Sequence, residues 1–277
     1  MKPQRLIASS VGRPWGRGRF GTAGGEPVGE VWVSGDDATL ADGRTLASAG
    51  IASSVPLVKL LDVGAWLSVQ VHPNDRLARE LHGRAAVGKH EAWVVLEADA
   101  DASFAMGLVD PIRLADLFSG DRRRVIGSLA IQRATAGSVI DVAPGTVHAP
   151  GPGVLLYEVQ QRSDLTYRIW DWGRSRPLHR SQARRAIRAD AGVTPQQIPE
   201  GQGRISLVGP GTPFRLELCR VAQGELRLAL ERPAILSPIQ GQLGVNALRL
   251  TAGSHWLLEP GETCLVGPGE ALLASWR

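Results

Sequence analysis

Hydrophobic and polar residues alternate with a period of two along much of this 277-residue chain. Such alternation is typical of β-strands with one buried face, and Gly- and Pro-rich stretches between the segments are typical of turns. The chain is therefore expected to have a mainly β fold, a sandwich or a barrel. The predicted strands are Gly29–Ser34, Val55–Asp62, Trp66–Val71, Glu91–Glu97, Leu129–Thr135, Gly153–Gln161, Phe214–Val221, Glu225–Leu230, Ala234–Gln240 and Ala271–Ser275.

A few short helices are predicted between these strands, within the N-terminal part of the chain. Asn74 can cap a helix that ends at Gly83. Asp110 precedes a proline at the first helical position, and Gly120 closes this second helix. A third helix is expected from about residue 181 to residue 189.

A change in composition near residues 190–203 predicts a linker, because the stretch GVTPQQIPEGQGR is rich in turn-forming residues. We expect an N-terminal domain over residues 1–192, a linker over 193–203 and a smaller C-terminal domain over 204–277. The stretches TAGSVIDVAPGTVH and TAGSHWLLEPGETC share a Thr-Ala-Gly-Ser start and a Pro-Gly turn. A duplicated barrel whose second copy lost its ligands would give this pattern.

The chain is basic, with 31 Lys and Arg against 27 Asp and Glu and a net charge of +4. A basic chain invites a nucleic-acid-binding interpretation. Here the basic residues are nearly all arginines scattered among the acids, so we interpret the excess as background and expect no nucleic-acid partner. A small molecule that carries phosphate is the better partner.

The compartment is indicated by cysteine use and by apolar runs. Cys219 and Cys264 cannot form a disulfide framework, and the sequence has no Cys-x-x-Cys pair. The apolar run over residues 6–8 is too short for a secretion signal, and no run approaches the ~18 apolar residues of a membrane helix. We expect a cytoplasmic protein with no membrane partner.

Candidate chemistry begins in the segment LSVQVHP. On a strand, Ser68, Gln70 and His72 share one face, while Val69 and Val71 share the other. An amide oxygen and an imidazole two residues apart can both bind one metal ion. The alternative is a half-exposed strand with ordinary polar residues.

Two further segments carry charged residues and a histidine. In GKHEAW, Lys89 and Glu91 share a face, so Glu91 could complete a metal site and Lys89 could hold an anion beside it. The alternative is a surface salt bridge that contributes little. In the third segment, His148 follows a Pro-Gly turn, and Glu158 and Gln160 share a face farther along. The alternative for His148 is a hydrogen-bonded histidine near a turn.

Four of these residues together make a mixed nitrogen and oxygen set: Gln70, His72, Glu91 and His148. Such a set suits Zn²⁺ or another first-row divalent ion. It leaves room for water or substrate oxygens, which favours a catalytic over a closed structural site.

Three separated blocks of sequence resemble the type I mannose-6-phosphate isomerases of the cupin superfamily, in their short bacterial form. The blocks are KLLDVGAWLSVQVHPND, GKHEAW and GTVHAPGPGVLLYEVQQRSDLTYRIWDWGR, and they occur in the family's order. Further agreement lies at residues 15–16, 29–32 and 176–179. The resemblance covers residues 15 to 190 and, more loosely, the C-terminal domain.

The resemblance implies a double cupin, two jelly-roll β-barrels, with one metal ion per chain in the N-terminal barrel. The implied ligands of Zn²⁺, or of another divalent metal, are Gln70, His72, Glu91 and His148. Catalysis is assigned to Lys89, Glu158 and Arg168. The implied substrate-binding residues are Lys59, Ser68, Lys89 and Arg168.

The implied activity interconverts mannose 6-phosphate and fructose 6-phosphate through an enediol. This chemistry needs an acid or base, stabilisation of an oxyanion and a cationic clamp for the phosphate. The residues leave open which side chain is the base. The alternatives are an isomerase for another phosphorylated sugar and a non-catalytic sugar-phosphate-binding cupin. We expect a monomer or a weak homodimer.

The chain departs from the family pattern at several positions. His90 replaces the usual Thr or Pro, and on a strand its side chain faces away from Lys89 and Glu91. We therefore expect no loss of the metal. His82 and His179 are expected to be surface or packing histidines.

Overall fold

The computed structural model describes residues 3–277. These residues form two compact units. The N-terminal unit comprises Val11–Glu30 and Leu60–Gln197, and the C-terminal unit comprises Ile198–Arg277, Val31–Lys59 and the described residues up to Ser10. Each unit thus draws on separate stretches of the chain, and the division into domains at residues 192 and 203 stays a prediction.

The mainly β fold predicted from the sequence is confirmed, and each predicted strand overlaps an observed one. The strands, numbered along the chain, are β1 (Gln4–Ile7), β2 (Ser9–Gly12), β3 (Thr22–Ala23), β4 (Glu26–Trp32), β5 (Thr39–Leu40), β6 (Leu57–Val63), β7 (Val69–Val71), β8 (Glu91–Ala98), β9 (Ser103–Leu108), β10 (Leu129–Arg133), β11 (Ser138–Val142), β12 (His148–Pro150), β13 (Val154–Gln160), β14 (Tyr167–Trp170), β15 (Gln196–Gln197), β16 (Gly203–Ser206), β17 (Phe214–Val221), β18 (Glu225–Leu230), β19 (Ala234–Val245), β20 (Leu248–Thr251), β21 (His255–Leu258), β22 (Gly261–Val266) and β23 (Gly269–Trp276). The α-helices are α1 (Asp75–His82), α2 (Arg122–Ser128) and α3 (Arg180–Ala186), and 3₁₀ helices span Ala52–Ser54 and Pro111–Phe118.

Antiparallel pairing joins these strands into sheets. A five-stranded sheet has the order β10-β9-β12-β7-β14, and an eight-stranded sheet has the order β15-β11-β8-β13-β6-β4-β2, with β3 beside β4. A ten-stranded sheet in the C-terminal unit holds β1, β5 and the strands from β16 onwards. Antiparallel sheets with one face toward a core account for the period of two in the sequence.

The core of the N-terminal unit contains residues from both of its main sheets, among them Trp93, Phe104 and Met106. A second apolar cluster joins the other face of the five-stranded sheet to the helices, with Val69 and Val71 on the strand side. Gln70 therefore points away from the helices, as the alternation along β7 requires. The polar residue lies on the inner face because its two neighbours occupy the outer one.

The helix ends follow the capping residues. Asn74 Oδ1 accepts a hydrogen bond from the Leu77 backbone N–H at 2.9 Å, which fixes the start of α1. Asp110 caps the next helical segment in the same way, although that segment is a 3₁₀ helix. Helix α2 was not expected from the sequence; Asp121 caps it at the Arg124 backbone N–H.

The two similar stretches of sequence make the same turn. Ser138 N–H donates to the Thr135 carbonyl at 3.1 Å, and Ser254 N–H donates to the Thr251 carbonyl at 3.0 Å. The glycine inside each turn has a positive φ, 80° in the first and 78° in the second. Each turn leads into a strand, β11 or β21, so the local repeat of sequence is also a repeat of structure.

Within residues 3–277, none of the helices is both long enough and apolar enough to cross a bilayer.

Candidate metal centre and active site

Three side chains from different strands meet in the N-terminal unit. His72 follows β7, Glu91 begins β8 and His148 begins β12. Their ligand atoms all lie within 4.8 Å of one another, and all three residues are buried. His72 Nε2 lies 3.4 Å from Glu91 Oε2, and His148 Nε2 lies 3.3 Å from Glu91 Oε1. The geometry suits one ion held between two imidazoles and a carboxylate.

Backbone carbonyls orient both imidazoles. His72 Nδ1 lies 3.0 Å from the Leu165 carbonyl oxygen, and His148 Nδ1 lies 2.9 Å from the Thr146 carbonyl oxygen. A carbonyl only accepts, so each Nδ1 carries the proton and donates. In the neutral ring the Nε2 lone pair then faces Glu91, which is how a metal-binding histidine is commonly held.

The residues fit a metal ion. Among residues 3–277, His148 Nε2 is buried and has no hydrogen-bond partner. An unprotonated nitrogen beside a carboxylate oxygen places two acceptors face to face, which is unfavourable unless a cation lies between them. Burial, together with the charge of Lys89, lowers the pKa of His72 to about 3, so its imidazole is neutral and able to bind a metal at neutral pH.

Gln70 lies in one row across the five-stranded sheet with His148 and Arg168. In the strand register it lies opposite His148 of β12 on one side and opposite Arg168 of β14 on the other. Directly opposed residues of antiparallel strands share a face. Ser68 Oγ donates to Gln70 Oε1 at 3.3 Å, so the serine contacts the amide oxygen. The row brings a neutral oxygen donor beside His148.

Lys89 forms a buried ion pair with the Glu91 carboxylate. Its Nζ lies 2.7 Å from Glu91 Oε2 and 3.4 Å from His72 Nε2. Burial alone would lower the pKa of Lys89, but the carboxylates of Glu91 and Glu158 outweigh it and raise that pKa. Burial would likewise raise the pKa of Glu91, yet the Lys89 ammonium holds it well below its ordinary range. Both groups are therefore charged.

The loop that carries Lys89 packs tightly against the start of α1. Lys89 N–H donates to the Pro73 carbonyl at 3.0 Å, and Gly88 N–H donates to Asp75 Oδ1 at 2.8 Å. A Cβ atom at Gly88 would lie 2.6 Å from the carbonyl carbon of Asn74. The close approach requires glycine, and it sets the position of the lysine that follows.

His90 points to the opposite side of the strand, as expected. Its Nε2 lies 2.6 Å from Asp141 Oδ1 on the neighbouring strand β11. Its backbone N–H donates to Gln161 Oε1 at 2.9 Å. The residue that departs from the family pattern thus leaves the inner face to Lys89 and Glu91.

Glu158 is buried on β13 and held by a tryptophan. Trp93 lies opposite it on β8, and Trp93 Nε1 donates to Glu158 Oε2 at 3.1 Å. Glu158 is also close enough to Lys89 to affect its pKa. Sequence reasoning missed Trp93, although its place two residues after Glu91 on one strand face was a usable signal.

Arg168 is half-buried on β14, and one short segment contacts it closely. Its Nη1 donates to the Pro177 carbonyl at 2.7 Å, and its backbone N–H donates to His179 Nδ1 at 3.1 Å. Within residues 3–277, its buried Nε has no hydrogen-bond partner. His179 therefore has a specific contact that the sequence interpretation, as a surface or packing histidine, did not include.

Lys59 is buried on β6, in the stretch assigned to the C-terminal unit. Its Nζ lies 4.7 Å from the centre of a Trp32 ring, in a cation–π contact. The roles of Lys59 and Ser68 in binding substrate stay predictions.

Comparison with known proteins identifies the relatives of this chain. No protein-family model matches it. It is 32% identical over 240 residues to the mannose-6-phosphate isomerase of Streptococcus mutans, a match that covers 80% of this chain and 74% of that protein.

Solved structures share the whole fold. The mannose 6-phosphate isomerase of Bacillus subtilis has a TM-score of 0.79 at 24% identity and covers 99% of both chains. A variant of phosphomannose isomerase from Salmonella typhimurium has a TM-score of 0.81 at 15% identity and covers 100% of both chains. The 32% identity to the Streptococcus mutans protein, over 80% of this sequence, decides the relationship: the chain belongs to the mannose-6-phosphate isomerase family.

Proposed function

We propose that this chain is a metal-dependent aldose–ketose isomerase that interconverts mannose 6-phosphate and fructose 6-phosphate. The observation that carries the proposal is the buried triad of His72, Glu91 and His148 with an ammonium at its edge, in a chain of this family. The reaction moves a proton between C1 and C2 of the open-chain sugar through an enediol. It needs acidic and basic groups that are shielded from water, and Lys89 and Glu158 are both buried.

The ion we propose is Zn²⁺, one per chain, held by Gln70 together with the triad. Two imidazoles, a carboxylate and an amide oxygen suit Zn²⁺ and leave room for sugar oxygens; another first-row divalent ion can use the same nitrogen and oxygen donors. When bound, the metal would polarise the sugar's carbonyl and hydroxyl oxygens as the enediol forms.

Lys89 and Glu158 are the proposed proton-transfer pair. The Lys89 ammonium can donate to the oxygen on which negative charge develops, and the Glu158 carboxylate can accept a proton from carbon. The hydrogen bond from Trp93 fixes the Glu158 carboxylate in place, so the group does not have to reorganise during the reaction. Kinetics of Lys89→Met and Glu158→Gln would test these two assignments.

Arg168 is the proposed clamp for the phosphate. Its Nη1 already donates to the Pro177 carbonyl, and its buried Nε has no hydrogen-bond partner among residues 3–277. A guanidinium can bind a phosphate dianion through several donors, which positions the sugar against the metal and the proton-transfer pair. Lys59 and Ser68 complete the proposed substrate site.

We further propose that the enzyme is cytoplasmic and acts as a monomer or a weak homodimer on a free sugar phosphate. Both cysteines are unpaired, as suits a reducing compartment. All the proposed ligands come from a single chain, so the site does not require a second subunit.

A coupled assay of the purified protein on mannose 6-phosphate tests this function. The protein is measured as isolated, after chelation, and after Zn²⁺ is added back, with total metal determined in each sample. We expect turnover that disappears on chelation and returns with Zn²⁺. Metal-loaded protein without turnover would favour an isomerase for another phosphorylated sugar, and protein that binds no metal would favour the non-catalytic alternative.

A further inference from the structure

Arg168 is held at three points by the segment from Pro177 to His179. The His179 backbone N–H donates to the Arg168 carbonyl at 2.8 Å, and the Arg168 backbone N–H donates to His179 Nδ1 at 3.1 Å. The Arg168 guanidinium donates to the Pro177 carbonyl at 2.7 Å. One short segment therefore fixes both the peptide groups and the side chain of this arginine.

These contacts fill a gap at the edge of a sheet. Strand β14 is the last strand of the five-stranded sheet, with β7 on one side only. On an edge strand, the N–H and C=O groups that face outward have no ladder partner. His179 supplies both missing partners to Arg168, the acceptor from its ring and the donor from its backbone.

The imidazole of His179 does not cap the helix that follows it, although His179 is the N-cap residue. His179 is the N-cap residue of α3, where a side-chain acceptor commonly bonds to an N–H of the first helical turn. No such bond forms, because Nδ1 accepts from Arg168 instead. Burial, with a contribution from the Arg168 charge, lowers the pKa of His179, which favours the neutral ring that accepting requires.

We propose that His179 is a positioning residue for Arg168: its ring nitrogen fixes the arginine at the height on β14 where the guanidinium can reach the substrate phosphate. This inference rests on the proposed function, because it assigns to His179 an effect on the substrate through Arg168. Without the acceptor, the Arg168 N–H would have to find water or move, and the guanidinium would move with its backbone.

Two substitutions separate the acceptor from the bulk of the ring. His179→Leu keeps an apolar side chain of similar size and removes the acceptor, whereas His179→Asn places an amide oxygen where Nδ1 was. With mannose 6-phosphate as substrate, we expect His179→Leu to lower kcat/KM about tenfold, mainly through KM, with metal content unchanged. Arg168→Ala should lower kcat/KM more strongly than His179→Leu does. His179→Asn should keep kcat/KM within about threefold of the wild type.

The outcomes separate this inference from the proposed function. A His179→Leu enzyme within about twofold of the wild type would overturn the inference, and so would a His179→Asn enzyme as impaired as the leucine variant. Wild-type protein that neither converts nor binds mannose 6-phosphate, or Arg168→Ala without effect, would count against the proposed function. Amide hydrogen exchange at Arg168 tests the hydrogen bond to His179 independently of activity. Exchange should be faster than in the wild type in the leucine variant and unchanged in the asparagine variant.

Discussion

His148 Nε2 and Glu91 Oε1 lie 3.3 Å apart, and on the far side of the ring Nδ1 donates to the Thr146 carbonyl, so a neutral ring has no proton left on Nε2. Two acceptors are therefore directed at each other inside the protein. A cation between the two atoms would satisfy both of them, so the arrangement suits a bound ion.

Replacing one imidazole of the triad should remove the metal. We expect His148→Ala to abolish both bound metal and isomerase activity, because the remaining residues no longer surround the ion. Total metal per chain and turnover of mannose 6-phosphate measure the two effects. His82→Ala is the control, since His82 bonds to the Tyr167 hydroxyl and lies outside the triad. A His148→Ala protein that keeps its metal would show that the ligands are other residues.

Removing the Lys89 ammonium should separate catalysis from metal binding. We expect Lys89→Met to lower kcat at least about hundredfold, because a proton-transfer group is lost. Metal content should be retained, since Glu91 loses only a competing cation 2.7 Å from Oε2. Lys89→Arg should not restore the rate, because a planar guanidinium does not fit the space of a compact ammonium. Wild-type kcat in the methionine variant would refute the assigned role.

The hydrogen bond from Trp93 to Glu158 should matter for rate beyond its effect on stability. Trp93→Phe removes the donor and is expected to lower kcat about tenfold while destabilising the fold by about 1–3 kcal/mol. Phe104→Leu is the matched control, because it opens space in the same core and keeps the Trp93 donor of the hydrogen bond to Glu158. That variant should melt earlier but turn over normally. Equal loss of kcat in both variants would mean that the core, and not the hydrogen bond, sets the rate.

A methyl group at Gly88 should displace Lys89. The added Cβ would lie 2.6 Å from backbone atoms of Asn74 and Asp75, so the loop has to move. We expect Gly88→Ala to lower the free energy of unfolding by about 1–3 kcal/mol and to reduce kcat/KM at least about tenfold. Gly192→Ala meets nothing within 4 Å and should behave as the wild type. Normal activity in Gly88→Ala would show that the close approach does not position the lysine.

The buried histidine of the C-terminal unit should make the protein sensitive to acid. Burial lowers the pKa of His255 from 6.5 to about 4. The unfolded chain takes up a proton at this residue below pH 6.5 and the folded chain only near pH 4, so stability falls as the pH drops through that window. The loss from this residue is about 3 kcal/mol in total.

His255→Asn should remove that part of the pH dependence. Asparagine can still bond to Ser237, whose Oγ lies 2.9 Å from His255 Nδ1, but it does not titrate. Unfolding by urea at pH 7 and pH 4.5 measures the difference for both proteins. Groups elsewhere titrate equally in the two proteins. The free energy of unfolding should therefore fall less between pH 7 and pH 4.5 in the variant than in the wild type. An equal fall in the free energy of unfolding in both proteins would contradict the prediction.

The alternation of polar and apolar residues was enough to predict the inner face of β7. Val69 and Val71 pack on the helix side, which leaves Gln70 facing inward. Strand β9 escaped prediction because both of its faces are buried: Phe104 lies in one apolar cluster and Ala105 in the other. A strand buried on both sides has no alternation to detect.

Contacts between distant strands could not be predicted from local patterns. Trp93 meets Glu158 because β8 and β13 pair in one register, and the residues that set this register lie throughout the unit. His179 meets the backbone of Arg168 across a turn in the chain, and nothing in its immediate neighbours indicates that contact. Residue types were readable from the sequence, whereas their partners depended on the folded sheets.

The origin of the three triad residues in separate strands has a further consequence. His72 and His148 belong to the five-stranded sheet and its flank, and Glu91 belongs to the eight-stranded sheet. Slipping a strand by one residue turns every side chain to the opposite face, so a mispaired strand would withdraw its ligand from the ion. Metal content thus reports on folding fidelity: a chain that holds its ion has β7, β8 and β12 in the register that brings the three ligands together.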